Sequence, residues 1–90
     1  MAESDMTARL AYPVSAAQIR ALMLTIPSWV RILPNMHDDT SFQDSGMDSL
    51  ALLELVGELQ NASGLEIPDD DVEHLSNIAS AVRYLNERLP

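Results

Sequence analysis

The sequence predicts an all-α fold: a small bundle of three main helices with a short helix set before the last of them. Three observations carry that expectation. Apolar residues recur at helical spacing in three separate segments, each preceded by a residue able to cap a helix N-terminus. No alternating apolar runs flank a two-residue turn, so no β-hairpin is signalled. The 90 residues include no cysteine and are 47% hydrophobic, which allows one modest core and no disulfide framework.

The elements follow in order. Residues 1–14 read as a flexible arm, mixing small, charged and polar types up to Pro13; the folded domain then spans 15–90. Ser15-Ala16-Ala17-Gln18 has the form of a capping box, with Gln18 expected to reach back toward Ser15. Ile19, Leu22, Met23 and Ile26 follow at the spacing of one buried helical face, and Pro27 stops or breaks that helix. Trp29, Val30, Ile32 and Leu33 form an apolar cluster, expected as a helical turn folded under the long loop to Phe42. Asp48 caps a second helix over about 49–61, with Leu52, Leu55, Val56 and Leu59 as its buried stripe and Gly64 as its stop. A short third helix is expected from about Asp70 to Leu75, its acidic first turn matched to the helix dipole. Ser76 or Asn77 caps the last helix, from Ile78 to Arg88, which buries Ile78, Ala81, Val82 and Leu85.

Charge narrows the function classes. The net charge is −9, and between Ile32 and Val82 there are eleven acidic residues and no Lys or Arg. The arginines lie outside that stretch, at Arg9, Arg20, Arg31, Arg83 and Arg88. Nucleic acid is excluded as a partner on this pattern, because phosphate binding needs cationic side chains. A basic protein surface is the complement, though acids also serve simply to keep a small protein soluble. No apolar run reaches the length of a membrane span and no signal-peptide core opens the chain, so a cytoplasmic monomer without membrane attachment is expected.

The chemistry-bearing string is Gly46-Met47-Asp48-Ser49-Leu50. A serine at the start of a helix can carry a phosphate, because free backbone N–H groups and the positive end of the dipole favour an anion there. As a nucleophile Ser49 lacks the Gly-x-Ser-x-Gly elbow, and nothing in the spacing brings His37 or His74 to it as a base. No catalytic residue is assigned. Asp69, Asp70, Asp71 and Glu73 lack the glycine and spacing of a calcium loop, and His37 with Asp38 and Asp39 reads as solvated loop, so no metal is assigned either. Leu50, Leu53 and Gly57, with Glu54 and Glu58, fall on the helix face opposite the buried stripe. They suit transient docking on a partner, the alternative being that the preceding loop partly covers Leu50 or Leu53.

This string resembles the prosthetic-group attachment site of acyl carrier proteins. The resemblance extends from about Ser15 to Leu89. It includes Phe42 to Leu50, then Glu54-Leu55-Val56 and Leu59, Glu66-Ile67-Pro68-Asp69-Asp70, Leu75-Ser76-Asn77-Ile78 and Tyr84-Leu85. There are departures: Ser45 where Leu is usual, Ser63 where Phe commonly packs, Gln60 and Asn61 in place of acids, and an unusual loop from Ile32 to Thr40.

The resemblance implies a discrete acyl carrier protein, not an enzyme. It implies 4′-phosphopantetheine attached at Ser49 from coenzyme A by a phosphopantetheinyl transferase, with Met47, Asp48 and Leu50 beside it. Acyl intermediates of polyketide or fatty-acid-type biosynthesis would ride on the arm's thiol as thioesters. An acyltransferase, a ketosynthase or another biosynthetic enzyme with a basic surface would dock on Leu50, Leu53, Glu54, Gly57 and Glu58 and on the acids Asp69, Asp70, Asp71 and Glu73. The departures at Gln60, Asn61 and Ser63 lean toward polyketide or specialised metabolism. The alternatives are a peptidyl carrier protein of nonribosomal peptide assembly and, from another class, an unmodified helical adaptor.

Overall fold

The computed structural model describes residues 9–89, and every described element is helical. Helix α1 spans Ala16–Met23, a short α2 spans Pro27–Val30, α3 spans Ser49–Ser63 and α4 spans Ile78–Arg88. Two 3₁₀ segments, Leu33–Asn35 and Asp69–His74, complete the set. Helix α1 packs against both α4 and α3, and the second 3₁₀ segment packs against α4.

The caps decide where the helices begin. The Ser15 hydroxyl accepts the Gln18 N–H at 3.3 Å, one half of the expected capping box. The other half is absent. Gln18 instead donates to the Pro13 carbonyl and accepts from the Ala11 N–H, pinning the approach to the helix. Asp48 caps α3 by accepting from the Ala51 N–H at 2.9 Å. Asn77, not Ser76, caps α4, and Ser80 returns the favour by accepting the Asn77 N–H.

The ends differ more from expectation. Helix α1 stops at Met23, four residues before Pro27, because Thr25 and Ile26 turn back onto the Leu22 and Met23 carbonyls. Pro27 then opens α2 at its first position, where a missing N–H costs nothing. Helix α3 runs two residues past Asn61 to Ser63 and ends at Gly64, whose φ of 77° is the left-handed cap that glycine adopts freely. The acidic segment winds as a 3₁₀ turn rather than an α-helix.

The core joins all of these elements. Ile19, Trp29, Leu55, Leu59, Leu75, Ile78 and Leu85 are almost wholly shielded from solvent. Two stripe assignments change. Leu52 is only half-buried, and Ala51 takes the inner place beneath Trp29. Val82 is likewise half-buried, while Tyr84 turns inward with its hydroxyl donating to Asp71 at 2.7 Å. The segment read as an arm is packed in its described part. Leu10 and Val14 are buried, Leu10 N–H donates to the Ala62 carbonyl, and Asn86 brackets Val14 with two hydrogen bonds. The remainder of that arm, residues 1–8, lies outside the described residues.

Candidate functional site

Ser49 is the first residue of α3, and its side chain is exposed. The chain reaches it through a turn over 42–46 that closes with Ser45 N–H to Ser41 O and Gly46 N–H to Gln43 O. Gly46 has a φ of 92°, a conformation that side-chain-bearing residues rarely adopt. The turn therefore needs glycine at that place to deliver Met47-Asp48-Ser49 onto the helix start.

The first turn of α3 is fixed from beneath. The Trp29 indole N–H donates to the Ala51 carbonyl at 3.1 Å, and the Trp29 and Phe42 rings meet edge to face at 5.2 Å. The loop expected to be unusual is fastened at both ends. Arg20 forks onto the Asp38 carboxylate and the Met36 carbonyl, while Phe42 N–H and Ala79 N–H bond across to Ser76 O and Asp38 O. Trp29 is thus a core residue that positions Ser49 and does not contact solvent.

Asp48 uses its carboxylate on the third N–H of α3. The N–H groups of Ser49 and Leu50 have no protein acceptor among the described residues. Two free donors and the positive end of the helix dipole thus lie at the helix end that Ser49 opens, a setting that fits a phosphodiester. No group of three or more metal-binding side chains exists among the described residues.

Around Ser49 the other candidates separate. Leu50 and Leu53 are 67% and 55% exposed, so the loop does not cover them. Glu54 is exposed and accepts the Ser28 hydroxyl at 2.7 Å; Gly57 and Glu58 are half-buried farther along. Asp69, Asp70 and Glu73 are exposed on the 3₁₀ segment. Asp71 is not a free acid, since it holds Tyr84 and lies 3.8 Å from Arg88, which also stacks on the Tyr84 ring. Burial, and then the bond to Asp71, push the Tyr84 phenol above its ordinary pKa, against the opposing charge of Arg88.

Two hollows flank α3. A groove of about 550 Å³ lies between Phe42, Leu52, Val72 and Leu75, rimmed by Asp69, Asp70 and Glu73. A cleft of about 300 Å³ lies beside the serine, lined by Ser28, Gly46, Met47, Asp48, Leu50 and Glu54 together with Ala51. Ser28 was not readable as a neighbour of this place, because it stands 26 residues from Glu54 in the chain.

Two of the departures from the family pattern have intramolecular uses. Gln60 accepts the Ile67 N–H at 2.7 Å, and Ser63 accepts the Leu65 N–H at 3.1 Å, so both secure the loop after α3.

Comparison with known proteins agrees with this geometry. The family model described as the phosphopantetheine attachment site matches residues 19–85. The acyl carrier protein of Chloroherpeton thalassium is 44% identical over 54 residues, covering 59% of this chain and 68% of that relative. No solved structure matches the chain significantly. The chain belongs to the acyl carrier proteins of the phosphopantetheine-attachment family, which carry acyl groups as thioesters on a covalent 4′-phosphopantetheine arm and are not enzymes.

Proposed function

We propose that Ser49 is the residue that bears the arm, and that the exposed face of α3 is where partner enzymes engage it. The observation that carries the first part is the pairing of an exposed hydroxyl with the acceptor-free N–H groups of Ser49 and Leu50. The hydroxyl is open to a transferase, and the phosphate it receives meets two donors without displacing a protein contact. The bound group supplies a distal thiol for acyl carriage. The chain's own residues hold the tether and present the surface around it.

Docking rests on Leu50, Leu53 and Glu54, with the exposed acids Asp69, Asp70 and Glu73 as an outlying acidic rim. Such a surface fits a basic partner with an apolar spot at its centre, charge setting encounter rate and the leucines setting contact. Incubation with coenzyme A and a phosphopantetheinyl transferase is expected to add the mass of one arm to the protein. Ser49→Ala is expected to abolish the increase while leaving the circular dichroism melt unchanged. A modified Ser49→Ala protein would place the attachment elsewhere.

A further inference from the structure

We infer that the cleft beside α3, built by Ser28, Met47, Leu50 and Glu54, is a seat for the phosphate-proximal half of the arm. This rests on attachment at Ser49. Three features of the molecule lead to it. The cleft takes in Asp48 and Leu50, the neighbours of Ser49 on both sides, so a chain leaving the serine starts at its rim. The groove on the other flank meets α3 at Leu52, three residues further along.

The second feature is an oriented acceptor. The Ser28 hydroxyl fixes one oxygen of Glu54 at 2.7 Å, and the other oxygen has no protein partner among the described residues. The proximal half of pantetheine carries a hydroxyl and an amide N–H, both donors of the kind such an oxygen accepts. The third feature is apolar surface at the cleft, exposed at Leu50 and partly open at Met47, which otherwise packs on the core. Leu50 is 67% exposed and Met47 half-buried at the cleft, and the arm's two geminal methyl groups lie within a few bonds of its phosphate. Polar and apolar parts of the cleft therefore match polar and apolar parts of one occupant.

The test uses the full chain, labelled with ¹⁵N and ¹³C and loaded with an unlabelled arm from coenzyme A. Intact mass first reports loading; its failure overturns the Ser49 reading and the seat with it. In the loaded protein, isotope-filtered NOEs from the geminal methyls are expected to the Met47 and Leu50 methyl groups. Amide shifts at Ser28 and Glu54 are expected to change on conversion from the apo form. Ser28→Ala, which leaves Ser49 untouched, is expected to load fully and to lose those NOEs. Contacts at Leu52, Val72 and Leu75 instead would assign the arm to the opposite groove and overturn the seat alone. So would an arm without protein contacts, or NOEs that persist unchanged in Ser28→Ala.

Discussion

Leu59→Ala probes the packing that holds α3, and with it Ser49, in place. Leu59 is 0% exposed and lies four residues beyond Leu55 on the same inward face. Truncation removes three buried carbons, a transfer loss of about 2–2.5 kcal/mol at roughly 0.8 kcal/mol per carbon. The surroundings relax only in part, and the residual cavity raises the total to about 3–5 kcal/mol. A domain of this size has roughly 5–10 kcal/mol of stability, so the variant loses a large fraction of it. The midpoint of thermal unfolding is then expected to fall by at least about 12 °C, at roughly 4–8 °C per kcal/mol. Leu53→Ala is the control. Its side chain is 55% exposed, and its effect is expected within about 0.5 kcal/mol. Both are measured by circular dichroism melts and urea titrations of the apo protein. A Leu59→Ala loss below about 1 kcal/mol, or an equal loss in Leu53→Ala, would refute the assignment of inner and outer faces to α3.

Other outcomes follow from individual residues. Gly64→Ala is expected to cost about 1–2 kcal/mol in the same melts, because φ is 77° and nothing stands near the added carbon to offset the backbone strain. Gly57→Ala, mid-helix with open space at the added carbon, is expected to stabilise by about 0.5–1 kcal/mol. Tyr84 has its phenol pKa raised above 10.0 by burial and then by Asp71, so the fold binds the neutral form. That stabilisation is complete below the unfolded value and is lost as pH rises through the higher folded value. Urea midpoints above pH 10 should therefore drop more steeply in the native protein than in Tyr84→Phe. Leu53→Arg is expected to slow loading by a transferase at subsaturating carrier without changing the melt, and the native rate should fall as salt shortens the screening length toward about 8 Å. Equal rates for both proteins at low salt would move docking off α3.

Much of the fold was legible because its signals are local. Ser15, Asp48 and Asn77 each cap from within three residues, and Gly64 ends α3 through its own backbone freedom. What was not legible depends on distant partners. Leu10 and Val14 look like arm residues until Ala62 and Asn86, far along the chain, are brought against them. Ala51 replaces Leu52 on the inner face because Trp29 reaches the Ala51 carbonyl, which helical periodicity does not encode. Tyr84 exchanges with Val82 because Asp71 stands where its hydroxyl can donate. At the candidate site, the place of Ser49 at the start of α3 was readable from its own string. The cleft was not, since Ser28 arrives by way of α2.

The charge pattern sets how tightly an arm on Ser49 can be held. On the proposed attachment, a phosphodiester there would enter a protein of net charge −9, with no basic residue between 32 and 82 to pair with it. Salt damps the more distant part of that charge over a screening length of about 8 Å. The near field is different. The two free N–H groups and the helix dipole attract the phosphate, worth about 0.3–1 kcal/mol for an exposed charge at a helix start. Asp48 sits next to the phosphate, but its carboxylate is already turned onto the Ala51 N–H. The balance orients the phosphate without trapping it. A cationic pair at the same place would hold the tether more strongly and would offer partner enzymes less uncompensated negative charge to meet. An acidic helix face with only backbone donors at its start therefore serves both needs. On the proposed attachment the tether would point in a defined direction, and the remaining attraction would be left for a basic docking surface on a partner.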